Sequence, residues 1–510
     1  RARRWRSCDD AYPVPPTTAE EETMGGLIAY GAYIPYNRLR RSRIAEVLGS
    51  GGGPGSRAVA SYDEDTTSMG AEAARAALRM LPGGPATPRQ LFFATAAPAY
   101  LDKTNAGAIH AALRLPESAL AVDMAGAVRS GVGALVAAAD SRAPTLAVLA
   151  DVRTGLPGGG DERDGGDGAA AFVFGGDGDA GAPVIADLVA HSSTTAEFLD
   201  RWRLPGDRAS RVWEERFGEH VYAPLVASAF AGALEEAGLS PADVDHLAVA
   251  GVHGRAVRAF AKTSGVRREA IAADLSTVIG NTGTAHPGIA LADLLDRAEP
   301  GRIIAVVVLA DGASVLLLRT TAALAGHRAP SPVAAQIAAG SDALAYATFL
   351  SWRDLLEREP PRRPDPEPPA APPSFRSDDW KFGFVASRCE ACGARHLPPS
   401  RVCVSCHAVD RMRTEPLADV PGTVTTFTVD RLAHTPSPPL VAAVIDFDGG
   451  GRFRCQLTDL APEEVAIGGR VEMTFRRMVT AGGIHNYFWK ARPQRPVVAA
   501  TNGRNGAQGG

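Results

Sequence analysis

Four cysteines carry the plainest chemistry in this 510-residue sequence. Cys389, Cys392, Cys403 and Cys406 read C-x2-C-x10-C-x2-C, two pairs that each offer two thiolates to one tetrahedral ion. Four sulfurs close the coordination shell, so the pattern specifies a structural zinc site with no open position for catalysis. A redox centre needs only one C-x-x-C, and the second pair argues against it. His407 follows directly and is superfluous as a ligand once four sulfurs bind. The remaining cysteines are Cys8, near the start, and Cys455, read as a core thiol; six in all make no disulfide framework.

The elements around this motif read as a small β unit. GTVTTFTVDRL, PLVAAVIDF, GRFRCQLTDL, RVEMTFRRM and HNYFWKARP alternate in character and are separated by turn residues, which predicts a five-stranded barrel of OB type. An OB barrel invites nucleic acid. Residues 376–500 hold 16 basic and 13 acidic side chains, too little net charge to favour it. Upstream, Glu359–Pro373 places eight prolines in 360–373, which reads as an extended linker incompatible with helix. Before it, Ala345, Phe349, Trp352 and Leu356 form one apolar helical stripe.

The long segment ahead of the linker contains an internal repeat. SMGAEAARAALRMLPG precedes the strand at 90–98, and LVASAFAGALEEAGLS precedes the strand at 246–254. Asp123 and Asp274 fall at equivalent places, and each copy has an apolar strand ending Leu-Ala-Asp, at 149–151 and 309–311. Asp167-Gly-Ala-Ala-Ala-Phe-Val-Phe then pairs with Asp311-Gly-Ala-Ser-Val-Leu-Leu-Leu, through a glycine-rich loop in the first copy and a tight hairpin in the second. Strand and helix alternating twice, with continuously apolar strands, predict an α/β unit of two similar halves.

Composition narrows the function class. Hydrophobic residues make up 45% and charged residues 22%, which excludes wholesale disorder, and the net charge of −4 gives no case for a nucleic-acid binder. Only four of the 53 basic residues are lysines, a pattern that matches GC-rich coding rather than a function. The longest apolar runs, such as Ile303–Ala310, are strand-sized, so no membrane span is expected. The first residues lack an apolar signal core, and a cytoplasmic protein is expected.

The opening GAYIPYNRLRRSRIAEVLG and the following SYDEDTTSMGAEAARAAL resemble the hydroxymethylglutaryl-CoA synthase branch of the thiolase superfamily. TTAEFLDRWRLPGDRASRVWEERFGEHVYAPLV resembles that branch's substrate-side insertion. The ribbon, the barrel, the Asp446-Phe-Asp-Gly-Gly-Gly-Arg turn and the closing Asn486-Tyr-Phe-Trp-Lys resemble the zinc-ribbon/OB-fold proteins that accompany thiolases. The fold class expected is therefore α/β: a thiolase-like fold of two duplicated halves, plus a rubredoxin-like zinc ribbon and an OB-fold β-barrel. The boundaries read as a disordered extension (1–23), a thiolase-like unit (25–325, halves about 25–180 and 181–325) and a helix with linker (326–375). A zinc ribbon (376–410), an OB barrel (411–497) and a disordered tail (498–510) follow.

The resemblance implies a cysteine that takes the acyl group, a histidine and an asparagine that polarise the thioester carbonyl, and a glutamate acid/base. His253, beyond a strand end, matches the histidine, and Asn281, in a glycine-flanked turn, matches the asparagine. Val128 falls at the cysteine position and Ala96 near the glutamate, so neither group is present. Ser130 reads as a helix-packing residue rather than a substitute nucleophile, and His110 as a plain helix residue. One reading is an acyl-CoA enzyme, of the hydroxymethylglutaryl-CoA synthase or ketoacyl synthase-like class, that makes or breaks a C–C bond without an acyl-cysteine. Lipid-transfer-type thiolase relatives that act as aldolases are similar in lacking the cysteine; His286 and Tyr222 are the candidate bases. The other is a non-catalytic acyl-CoA-binding scaffold for a condensing enzyme. The resemblance also implies a homodimer and admits another thiolase as partner.

Overall fold

The computed structural model describes residues 25–494 apart from 363 and 365, so the expectations for 1–23 and 498–510 lie outside the described residues. Nine strands build the main sheet: β1 (Gly26–Tyr33), β2 (Gln90–Thr95), β3 (Leu120–Ala125), β4 (Thr145–Val152), β5 (Asp167–Gly175), β6 (Ala186–Thr195), β7 (His246–Gly251), β8 (Ile303–Leu309) and β9 (Gly312–Thr320). Their order is β7-β8-β9-β6-β1-β5-β4-β2-β3. Read outward from the centre, β1-β5-β4-β2 and β6-β9-β8-β7 repeat the same sequence of antiparallel, antiparallel and parallel pairings. The halves meet where Leu27 pairs with Ala186. In the first half β3 adds a fifth, parallel strand, which in the second half shrinks to one bridge, Leu247 with Ile271. This is the repeat legible in the sequence.

Helices cover both faces, which is why the central strands are apolar throughout. On β8, Ile304, Val306 and Val308 pack into one core, while Ile303, Ala305, Val307 and Leu309 pack into another on the opposite face. The principal helices are α1 (Thr66–Leu78), α2 (Ser130–Ala139), α3 (Glu215–Ala237), α4 (Gly254–Thr263) and α5 (His286–Arg297). A reciprocal cap opens α1: the Ser68 amide donates to Asp65 Oδ1 at 2.8 Å, and the Asp65 amide donates to Ser68 Oγ at 2.9 Å. The helix is buried along its whole length. It lies so close to β1 that a Cβ at Gly31 would stand 2.6 Å from the Ala73 carbonyl.

The small unit begins with the ribbon strands β10 (Val385–Cys389), β11 (Arg395–His396) and β12 (Met412–Pro416). The barrel strands are β13 (Gly422–Asp430), β14 (Leu440–Phe447), β15 (Arg452–Gln456), β16 (Arg470–Ala481) and β17 (Ile484–Pro493), in the order β15-β14-β13-β16-β17. A bridge between Leu457 and Ala491 joins the two outer strands.

Two expectations about the connection need correction. The proline density predicts no helix in this run, yet Ala371–Arg376 is helical with Pro372 and Pro373 in its first turn. First-turn amides have no intrahelical acceptor, so proline there removes nothing. The apolar stripe is a shorter helix than its spacing predicts, Tyr346–Trp352, because Asp354 turns left-handed (φ 54°) before Leu356 is reached. That helix packs on the large unit, where Tyr346 and Phe349 cover Leu39, Ile44 and Val59.

The barrel is seated on the large unit through buried charges. Arg476, fully buried on β16, meets Glu64 at 2.9 Å and Asp459 at 2.6 Å, and donates to the Tyr33 hydroxyl at 3.1 Å. The Tyr487 hydroxyl donates to Asp65 at 2.7 Å, and the Phe475 amide to Glu72 at 3.0 Å. The Tyr-Asp-Glu-Asp run that carried the family resemblance is thus also the seat of the barrel. No helix among the described residues is long and apolar enough to cross a membrane.

Candidate functional site

The four cysteine sulfurs converge within 4.8 Å of one another. Each pair sits in a knuckle closed by a left-handed residue, Gly393 after the first pair and His407 after the second. Cys403 Sγ accepts the amide protons of Ser405 and Cys406, both at 3.4 Å. The Cys406 amide, opposed by burial and helped by that of Ser405, holds the Cys403 thiol down to about 5. A sulfur kept as thiolate by backbone donors, in a closed set of four, fits a tetrahedral zinc ion. His407 serves as the knuckle's turn residue.

A cavity of about 550 Å³ opens at the carboxyl ends of the parallel strands, where an open α/β sheet presents side chains to ligands. Ala96 and Leu101 follow β2, Val128 precedes α2, and Asp311 follows β8. Asp200 comes from the 200–210 insertion and Tyr222 from α3. Val128 is buried at 8% exposure, with a side chain that offers no nucleophile. The rim mixes apolar and charged groups: Leu101 and Leu204 are exposed at 78% and 62%, beside Arg203 and Asp207.

The expected polar pair stands behind this wall. His253 caps α4: its Nδ1 accepts the Ala256 amide proton at 3.1 Å, and its Nε2 lies 2.9 Å from the Glu215 carbonyl, which requires a proton on Nε2. Asn281 donates from Nδ2 to the Gly251 carbonyl at 2.7 Å and accepts the Gly283 amide proton at 2.9 Å. Both therefore brace the turns that follow β7, and neither lines the cavity, although Val252 does. His286 is buried at the start of α5, accepts the Thr282 amide proton at Nδ1, and is held below its usual range by desolvation. It does not reach the cavity wall, nor does Ser130. His110 bonds the Pro116 carbonyl at 3.0 Å, as a helix residue.

Tyr222 does line the cavity, and burial followed by the nearby Asp200 and Asp311 carboxylates pushes its phenol up. Sequence reasoning missed three groups. Asp151 ties the wall together: it accepts from the Ala96 amide at 2.9 Å and the Thr284 amide at 2.8 Å, joining the loop after β2 to the turn after Asn281. Asp311 occupies the same position in the second half, in the left-handed region (φ 46°), with its carboxyl pushed up by burial against the pull of Arg129 and by Asp200. The paired Leu-Ala-Asp strand ends were the available signal for both. Asp200 carried no signal beyond its place in the insertion.

The barrel braces the loop after β2 that carries Leu101, without itself lining the cavity. In the hairpin between β16 and β17, the His485 amide donates to the Tyr100 hydroxyl at 2.7 Å, and the two rings lie 4.7 Å apart.

Comparison with known proteins places this architecture. A family model for the 3-oxoacyl-[acyl-carrier-protein] synthase III C terminal matches residues 234–318. The ChsH2 rubredoxin-like zinc ribbon matches 383–410, and the ChsH2 C-terminal OB-fold domain matches 414–476. Hydroxymethylglutaryl-CoA synthase of Methanothermobacter thermautotrophicus is 30% identical over 348 residues, 65% of this chain and 99% of that protein. Its counterpart in Pyrococcus furiosus is 30% identical over 295 residues, 56% of this chain and 83% of that protein. Among solved structures, MvaS in complex with 3-hydroxy-3-methylglutaryl coenzyme A aligns with a TM-score of 0.55 at 19% identity, over 77% of this chain and 99% of that one. The curacin-pathway HMG synthase, in complex with acetyl donor-ACP, aligns at 0.53 and 16% identity, over 65% and 88%. Fold and domain content define a thiolase-like protein with a zinc ribbon and an OB barrel attached. By its match to whole relatives, the chain belongs to the hydroxymethylglutaryl-CoA synthase family.

Proposed function

We propose that this protein is an acyl-CoA enzyme that makes or breaks a C–C bond by aldol or retro-aldol chemistry, with no acyl-cysteine. The observation that carries the reading is Val128: the helix N-terminus that would activate a thiol faces the cavity with an alkyl group, and residues 25–325 contain no cysteine. Family membership and the acyl-CoA complex of a fold relative support the ligand class. In the cleavage direction a base takes the β-hydroxyl proton, the Cα–Cβ bond breaks, and the electron pair passes into the thioester enolate. His253 and Asn281 are proposed as the groups that stabilise that oxyanion. Asn281 has a second amide proton beyond the one given to Gly251. His253 must exchange the Glu215 carbonyl for the substrate oxygen, a movement at the start of α3. The ribbon cysteines are proposed to hold structural zinc. The outer edge of β3, where Leu120 is 55% exposed, supports a homodimer, with another thiolase as a further partner. The setting proposed is cytoplasmic lipid metabolism.

The test is turnover of a panel of β-hydroxyacyl-CoAs by the parent, His253→Ala and Asn281→Ala, with intact mass measured after exposure to acyl-CoA. Turnover by the parent, sharply reduced in both variants and without an acyl adduct, is expected. A stable acyl adduct sinks the non-covalent reading. A second reading, an acyl-CoA-binding scaffold for a condensing enzyme, is favoured by the backbone bonds that engage His253 and Asn281. CoA binding without turnover in any of the three proteins decides for it.

A further inference from the structure

We propose that Asp200 is the proton-transfer group of this cavity, taking the α-proton of a bound acyl thioester; the assignment rests on the acyl-CoA reading above. Asp200 is 3% exposed, and its Oδ1 has no hydrogen-bond partner among the described residues. It lines the cavity, so the carboxylate is withdrawn from bulk water yet borders the space a ligand would fill. A buried carboxylate oxygen left without a donor is costly to the fold, and sites of this kind gather where chemistry needs a base.

Its neighbours fit that role. A Cβ built at Gly218 would stand 2.8 Å from Asp200 Oδ1 and 2.6 Å from His253 Nε2. Glycine at 218 thus lets the carboxylate and the imidazole both pack against the backbone of α3, side by side. Tyr222, beside Asp200, holds its proton because burial and the two carboxylates push the phenol up, so it can donate but is a poor acceptor. Asp151 is excluded by its own contacts, since both oxygens already accept amide protons. Asp311 stands at the exposed mouth under the pull of Arg129. The insertion therefore supplies a carboxylate to a cavity whose loop after β2 lines it with Ala96, Ala97, Pro98 and Leu101, none of them an acid or base.

The step balances without a further reagent. Asp200 takes the α-proton, and the C–H electron pair becomes the enolate. The α-carbon attacks the carbonyl carbon of the second substrate, and the resulting alkoxide takes the proton back from Asp200. In cleavage the carboxylate takes the β-hydroxyl proton and returns it to the α-carbon.

The experiment follows exchange of the α-hydrogens of acetyl-CoA and propionyl-CoA in deuterium oxide, using the full chain and no second substrate. The parent is expected to exchange them. Asp200→Asn, isosteric and uncharged, should exchange at least about 100-fold more slowly, with CoA binding and melting temperature retained. Asp200→Glu keeps the carboxylate and should recover part of the rate, which keeps the test open should the asparagine variant fail to fold. Parental exchange by Asp200→Asn, no exchange by the parent, or loss on Asp311→Asn with none on Asp200→Asn would each overturn the assignment. Exchange by the parent with no turnover against any carbonyl partner sinks the C–C bond reading instead and leaves Asp200 in place.

Discussion

Lys490 of the barrel and Asp63 of the large unit form an ion pair at 2.8 Å with both side chains withdrawn from solvent. Removing Lys490 leaves the buried Asp63 with only the longer contact to Arg476 at 3.4 Å and the Ser61 hydroxyl. Breaking such a pair costs up to about 3–5 kcal/mol, whereas replacing both members by apolar groups is often neutral. Lys490→Met is therefore expected to lower the urea midpoint strongly, and Lys490→Met/Asp63→Leu to recover part of the loss. A single variant as stable as the parent contradicts the pairing.

Asp296 titrates in the opposite sense to an ion-paired carboxylate. Burial raises its carboxyl to about 6, although it accepts the Val333 amide proton at 2.7 Å and the Tyr30 hydroxyl proton at 2.9 Å. Because the folded-state value lies above the unfolded one, the folded protein holds this proton more tightly. Its stabilising contribution is complete below about pH 4 and is lost as pH rises through about 6. Melting temperatures of Asp296→Asn between pH 4 and 7 should fall less than those of the parent; parallel profiles argue against it.

Metal removal should reach beyond the ribbon. Phe384, next to β10, stacks on Trp380 at 5.2 Å and lies 5.7 Å from Trp489 in the barrel core. Native metal analysis should find about one zinc per chain. Cys389→Ser or Cys403→Ser should lose it and shift the tryptophan emission to the red. Retained emission without zinc would confine the ion's effect to the knuckles.

Val128 gives a gain-of-function test. Val128→Cys puts a thiol beside the N-terminus of α2, where the helix dipole favours thiolate. With acyl-CoA the variant should gain the mass of one acyl group while the parent gains none. An adduct on the parent, or none on the variant, places the reactive position elsewhere.

Local pattern and repeat made much of the architecture legible. The cysteine pairs needed only their spacing, and the barrel strands only their alternation and turns. The two halves showed because Leu-Ala-Asp recurs at the ends of β4 and β8. The seat of the barrel was hidden because Asp63 and Arg476 lie more than four hundred residues apart, and neither pattern nor charge count links them. His253 does follow a strand and Asn281 does lie in a turn, but where their nitrogens point depends on the carbonyls of Glu215 and Gly251, brought near only by the fold. Asp200 was unreadable for a related reason: its burial comes from the insertion folding back toward Gly218.

The contact between Tyr100 and His485 bears on how such a protein is made. A loop beside the cavity that leans on the barrel requires one barrel for every large unit, a ratio that two separate polypeptides would hold only through balanced expression and mutual search. Carried on one chain, with Arg476 and Lys490 following Asp63 and Glu64 out of the same ribosome, that ratio is set by translation itself.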